Sequence, residues 1–265
     1  MSSLTLSIHS DLHLEFDDEA GHEFDLDLTD VDVLILAGDI HMGRQAVTYL
    51  TKWAAHVPNI LYIAGNHEYY MNDFDKLFPD IKTMAAAIPG VVVMENDEVI
   101  IKGTRFLGCT MWTDMHRGSV RALRLAEDRM NDYHLVHRGK AKLRGRDTVN
   151  RHDQSKEWLT GKLKQPFSGP TVVITHHLPT PFVVAEEFKH DYLSAAYAST
   201  DLDPLITECD LWVFGHQHTT TLKTVDRADQ GKTILLSNPR GYYPQRLNEN
   251  YEQRQRFLIE PRKQA

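Results

Sequence analysis

Five times along this chain a short run of β-branched and apolar residues ends in a polar cluster rich in metal-ligating side chains. The runs at residues 4–8, 31–37, 60–64, 171–175 and 211–214 lead into Asp11-Leu12-His13, Gly38-Asp39, Gly65-Asn66-His67-Glu68, His176-His177 and Gly215-His216-Gln217-His218. Short apolar runs bounded by glycine and polar residues read as buried strands. Strand followed by ligand, repeated in this way, implies one site assembled at one edge of a sheet. In α/β proteins such sites lie outside the carboxyl ends of the strands. The set contains Asp, His and Asn but no Cys, the chemistry of two hard-to-borderline metal ions that activate water.

A chain of 265 residues fits one large domain or a domain with an insertion. Its hydrophobic content of 42% is enough for a substantial core. The mean hydropathy of −0.41 is that of a soluble chain. No apolar run approaches the roughly 18 residues of a membrane span, so no membrane partner is expected. Met1-Ser2-Ser3-Leu4 runs straight into strand pattern without a basic or apolar leader, so no secretory signal is expected. Cys109 and Cys209 lack metal or redox spacing and read as reduced, half-buried thiols, which predicts a cytoplasmic location.

The net charge of −8 is unevenly spread. Residues 116–164 carry thirteen Lys/Arg against six Asp/Glu, a local +7, and the remainder is −15. A basic segment on an acidic body argues against coating of long nucleic acid and for a patch that steers an anionic substrate.

Residues 15–30 read as an acidic loop. Helical spacing covers 45–56 and 74–88, the latter ended by Pro89-Gly90. Short strands are predicted at 91–94, 98–102 and 104–109, and a hairpin over 220–226 and 232–237 around Asp229-Gln230-Gly231. Two helices, 117–133 and 147–163, flank a basic connector at 137–146 that has little reason to be buried. The fold class that follows is α/β, with helices outside a core sheet and a helical insertion at roughly 115–165. The whole chain, 1–265, is read as a single domain with that insertion as a basic cap. Trp112, Trp158 and Trp212 read as core.

An Asp-x-His pair leaving a strand aims both side chains at one ion, because i and i+2 lie on the same side of an extended chain. Asp39 suits a bridging role, since its two oxygens can hold two cations while offsetting their repulsion. Asn66 offers a neutral carbonyl oxygen that leaves the metal's Lewis acidity intact. Neutral imidazoles from His176, His216 and His218 complete the set, with a second i, i+2 pair.

Asp11-x-His13, Gly38-Asp39, Gly65-Asn66-His67-Glu68, His176 and Gly215-His216-x-His218 together resemble the calcineurin-like metallophosphoesterase superfamily, in the family's order and over most of the chain. The resemblance implies a four-layered α-β-β-α sandwich of two mixed sheets. It also implies two divalent or trivalent ions, with Mn, Fe and Zn the leading candidates. Asp11, His13 and His218 would hold one ion together with Asp39, which would bridge to a second held by Asn66, His176 and His216. His67 would be the catalytic residue, either as general acid on the leaving oxygen or as donor to the phosphoryl group. Many members carry an acidic residue three positions after the bridging Asp, where it orients the catalytic His; here that position is Met42. His41, Glu68 or a main-chain carbonyl is then expected to partner His67.

The function implied is a dinuclear metal-dependent phosphoesterase in which metal-bound hydroxide attacks phosphorus. A phosphodiester is the favoured substrate, a small phosphoester with nucleotides among the candidates. The alternatives are a phosphomonoesterase, a nuclease on the same site, or a non-catalytic metal-binding interaction module. Arg240 and Tyr242-Tyr243 either shape a phosphate pocket or pack a closing loop. His177 and His41 read as residues behind the ligands.

Overall fold

The computed structural model describes residues 3–262. Its first sheet contains β1 (Leu4–His9), β2 (Val33–Ala37), β3 (Ile60–Ile63), β4 (Val91–Val93) and β15 (Phe257–Ile259), in the order β15-β1-β2-β3-β4. β1 to β4 are parallel to their neighbours and β15 is antiparallel to β1. The second sheet contains β5 (Asp97–Ile101), β6 (Thr104–Gly108), β9 (Thr171–Ile174), β10 (Leu211–Val213), β11 (Thr221–Asp226) and β12 (Lys232–Ser237). Its order is β11-β12-β10-β9-β6-β5, with a parallel centre and antiparallel edges at β5 and β11. Two short ribbons complete the strands: β7 (His137–Arg138) with β8 (Ala141–Lys142), and β13 (Gly241–Tyr242) with β14 (Arg246–Leu247).

Three apolar clusters define four layers. Between the sheets, Leu6, Ile8, Val33 and Ile35 meet Phe106, Val172, Ile174 and Val213. The outer face of the first sheet packs Leu34, Leu36 and Tyr62 against helices α2 (Ala46–Ala54) and α3 (Leu77–Ala85). On the outer face of the second, Leu107, Val173 and Trp212 pack against α7 (Gly145–Leu163) and α8 (Asp203–Ile206). β2, β9 and β10 are buried at every position, which is why their sequences, Thr171 apart, are continuously apolar rather than alternating. The expected α-β-β-α sandwich of two mixed sheets is therefore the observed fold. Trp112 and Trp212 lie in the core, and Trp158 packs against it half-buried.

Two segments depart from the sequence reading. The acidic stretch opens with helix α1 (Leu14–Ala20) instead of a loop, because Leu14 and Asp17 are drawn fully inside and Gly21, at φ 65°, ends the turn. Residues 117–133, which read as one helix, divide into α4 (Met115–Gly118), α5 (Val120–Arg129) and α6 (Asp132–Leu135). Met115, His116, Arg117 and Gly118 all have positive φ, a conformation that cannot propagate a right-handed helix. The second break, after Arg129, turns Asp132 into the interior at 1% exposure.

Phe106 fills the space between the sheets with no exposed surface, so Phe106→Ala is expected to cost about 3–5 kcal/mol of unfolding free energy in urea titration. Leu258→Ala, at an exposed position of β15, is expected to stay within about 0.5 kcal/mol.

Candidate metal centre

β1, β2, β3, β9 and β10 all run to the same end of the sandwich, and each polar cluster lies just past its strand. The exit loops are stitched together through the backbone. Asp11 N donates to Gly38 O, His13 N to Asp39 O, and His216 N to the Asp11 carboxylate, each at 3.0 Å. Asp11, His13, Asp39 and His216 all sit in the left-handed region, with φ between 47° and 68°. Strain of this kind in non-glycine residues is maintained only where surrounding contacts over-determine it. Glycine is required where two loops meet: a Cβ on Gly65 would lie 2.1 Å from Asp39 Oδ1, and one on Gly38 would lie 2.4 Å from His176 Nδ1.

The predicted residues come together in two groups. Asp11, His13 and His218 form one, with His13 Nε2 and His218 Nε2 3.0 Å apart and His218 Nε2 3.5 Å from Asp11 Oδ1. Asp39, His176 and His216 form the other, with His176 Nε2 3.3 Å from Asp39 Oδ2 and 3.0 Å from Asn66 Oδ1. Asp39 lies between the groups, its Oδ2 also 3.9 Å from His13 Nε2. A third triad, His13, Glu15 and His67, adjoins the first.

These residues fit metal ions on three counts. His176 donates Nδ1–H to Ala37 O at 2.8 Å, which fixes the ring with Nε2 aimed at the centre, the usual disposition of a ligating imidazole. His216 Nε2 is buried without any hydrogen-bond partner. Three carboxylates, Asp11, Glu15 and Asp39, are at most 6% exposed, are held below the usual carboxylate range, and among the described residues do not pair with Lys or Arg. That much buried negative charge calls for cations. Burial pushes the Asp39 carboxyl up, but the imidazoles of His176 and His67 outweigh it and hold the group well below the usual carboxylate range.

The sequence reading missed the partner of His67. His41 is instead engaged with Asp18 and Met42 O. The Glu68 carboxylate accepts from Asp39 N, Ile40 N, Gly65 N and the Tyr62 hydroxyl. Glu15 takes the role, its Oε1 3.4 Å from His67 Nδ1 and 3.5 Å from His13 Nδ1. Burial pushes the His67 pKa down, but Asp39 and Glu15 more than reverse it and raise the pKa above the ordinary value. Burial likewise opposes ionisation of Glu15, yet the two imidazoles bring its pKa to about 2. Glu15 lies in the first turn of α1, after the left-handed His13, so the alternation of an extended chain does not mark it.

Asp132 was also missed, and nothing in the sequence marks it. It accepts from Asn66 Nδ2 at 2.7 Å and from the Tyr70 hydroxyl at 3.0 Å, so the Asn66 amide is turned with Oδ1 toward His176.

Of the closing-loop residues, Arg240 packs and Tyr242 lines the cleft. The Arg240 guanidinium makes a bidentate pair with buried Asp17 at 2.6 and 2.8 Å and donates to Leu12 O, which clamps α1 behind His13 and Glu15. The Tyr242 hydroxyl is 3.4 Å from His67 Nε2. His177 is buried behind His216, ring to ring at 4.3 Å. Two cations of the basic connector are ion-paired: Arg138 with Asp75 and Asp147, and Arg144 with Glu127. The cation from the 115–165 segment that reaches the cleft is Arg129, which borders a cavity of about 180 Å³ shared with Asp39, Asn66 and His67.

A model of the calcineurin-like phosphoesterase family matches residues 8–220, and the chain belongs to that family. An uncharacterized protein of Acanthamoeba polyphaga mimivirus is 24% identical over 270 residues, covering 91% of this chain and 92% of its own. Among solved structures, the phosphopantetheinyl hydrolase of Mycobacterium tuberculosis shares the fold at a TM-score of 0.64 and 18% identity, over 91% of this chain and 90% of its own.

Removing Arg240 would strand the Asp17 carboxylate without its charged partner. Arg240→Ala is expected to destabilise the protein by about 3–5 kcal/mol in denaturant titration. Adding Asp17→Asn to that variant is expected to recover part of the loss.

Proposed function

We propose that the protein is a dinuclear metal-dependent phosphoesterase that acts by preference on phosphodiesters. The observation that carries this reading is the meeting of two His/carboxylate groups at one buried aspartate, Asp39. Asp11, His13 and His218 would hold one ion, Asn66, His176 and His216 the other, and Asp39 both. Ions held there lower the pKa of water and draw charge from phosphoryl oxygens. Manganese is our first choice among the metals that His, Asp and Asn accommodate.

His67 is the proton donor in this reading. Glu15 occupies its Nδ1 side, so the transferable proton stands on Nε2, toward the cleft and the Tyr242 hydroxyl. Asp132 keeps Asn66 Oδ1 turned inward, and Tyr70 shares that anchor. Arg129 supplies a fixed positive charge at the mouth, suited to a phosphate oxygen. We place the protein in the cytoplasm, a reading supported by two buried, unbridged thiols at Cys109 and Cys209. The mycobacterial hydrolase's name speaks of a phosphopantetheinyl group, and an organic phosphoester of that general kind is one candidate substrate.

Protein stripped of metal and reloaded with Mn²⁺ is expected to hydrolyse bis(p-nitrophenyl) phosphate faster than p-nitrophenyl phosphate, and Asn66→Ala is expected to abolish both activities. Turnover of the monoester alone would make the enzyme a phosphatase. Turnover of neither, with two ions bound, would leave a binding module.

Glu15→Gln removes the carboxylate that favours the imidazolium of His67. The His67 pKa then falls, the acid form is lost at lower pH, and the alkaline limb of the kcat–pH profile moves toward acid. An unmoved limb would assign the proton to another group.

A further inference from the structure

Beside the metal centre lies a second cavity, of about 550 Å³, which the catalytic reading leaves unused. It is bounded by the loop that follows His177, by the turn carrying His216 and His218, and by the β13–β14 ribbon. It is continuous with the smaller cleft over Asp39 and Asn66, since Leu193, Tyr197, His216, His218 and Tyr242 border both. The Tyr197 ring lies 4.6 Å from His216, and the Tyr242 ring 4.5 Å from His218, so two aromatic faces flank the passage.

The wall is chemically mixed. Val184, Phe188, Leu193 and Leu247 supply apolar surface, and Phe188 and Leu247 remain 47% and 43% exposed, open to a ligand in the recess. Ser194, Gln217 and Thr219 offer hydrogen bonds. Its charged side chains are Glu187, Asp191 and Arg246, two acids and one base, with no surplus of positive charge to receive a second phosphate or a carboxylate. The loop that carries Phe188 is braced rather than free: Ser194 Oγ donates to Phe188 O at 2.6 Å, and Ala185 N donates to Gln217 Oε1 at 2.9 Å. A preformed recess of mixed lining, with apolar side chains beside polar groups that fix orientation and a volume within about 300–1,000 Å³, suits an organic ligand.

We propose that this cavity is the subsite for one ester arm of the substrate, and that it takes an uncharged arm with an aromatic or aliphatic body. The proposal rests on the phosphoester reading of the neighbouring centre, which would place the phosphorus at the shared mouth. It assigns Phe188 and Leu247 as specificity residues, packing on the arm, and explains why large apolar side chains stand open to solvent next to a charged site.

The test separates the arm from the chemistry. Mn²⁺-loaded protein is titrated calorimetrically with diphenyl phosphate and with dimethyl phosphate, and kcat/KM is measured for bis(p-nitrophenyl) phosphate and methyl p-nitrophenyl phosphate. The aryl arm is expected to be preferred by about tenfold or more in both assays. Phe188→Ala, and separately Leu247→Ala, are expected to reduce that preference by at least about threefold. Leu258→Ala, on the remote edge strand, should leave it unmoved. Both variants alter exposed side chains, and their melting temperatures serve as the folding control.

Equal affinity for the two diesters, or a preference that survives both substitutions, overturns the subsite. Hydrolysis without arm preference overturns it while sparing the phosphoesterase reading. An aryl preference in binding that depends on Phe188, without turnover of any ester, does the reverse. No measurable affinity for diphenyl phosphate together with no turnover of any ester overturns both.

Discussion

The carboxylate of Glu68, fully buried beneath the exits of β2 and β3, accepts from the backbone N–H groups of Asp39, Ile40 and Gly65. One side chain thereby binds two loops that approach so closely that only glycine fits at positions 38 and 65. Asp39 and Asn66 owe their positions to this junction, and the remaining candidate ligands are arranged around them. The junction carries an electrostatic cost. Burial and the nearby Asp39 raise the Glu68 pKa to about 7, so the fold concentrates acids where they resist ionisation. Cations at the centre would offset that cost, which couples metal binding to the stability of the loops themselves.

Around this junction the supporting shell is drawn from distant parts of the chain. Asp132, from the helical segment beyond β6, sets the Asn66 amide. Glu15, at the start of α1, holds the Nδ1 side of His67. Arg240, past β12, clamps α1 through Asp17. Each is buried and acts through a group that faces the centre. Met42 stands three positions after Asp39, and the carboxylate beside His67 comes instead from Glu15, past the neighbouring strand β1. The orientation of an imidazole needs a carboxylate at the right point in space, not at a set place along the chain.

Much of the architecture was legible in the sequence because its signals are local. Runs of β-branched and apolar residues marked β1, β2, β3, β9 and β10, each within two residues of its observed bounds, since strands covered on both faces favour such residues. The polar clusters announced a shared site for the same reason, each being tied to the end of its own strand. Helix α1 escaped notice because its stability comes from Leu14 and the Asp17–Arg240 pair, not from propensity. The 117–133 segment read as one helix because no proline interrupts it; left-handed backbone at residues 115–118 and a second break after Arg129 divide it.

By itself the sequence determined the α/β class and the set of residues able to meet at the strand ends, because burial and strand polarity are written in contiguous residues; the sandwich followed from the resemblance of those motifs to a known family. The tertiary structure alone decided how those residues are held. Glu15 rather than His41 or Glu68 faces His67, Asp132 anchors Asn66 across 66 positions, and Arg138 of the basic connector pairs with Asp75 and Asp147 while Arg129 stands at the cleft. Such pairings depend on where side chains from separate elements converge, and a linear pattern carries no record of distance between segments that only folding brings together.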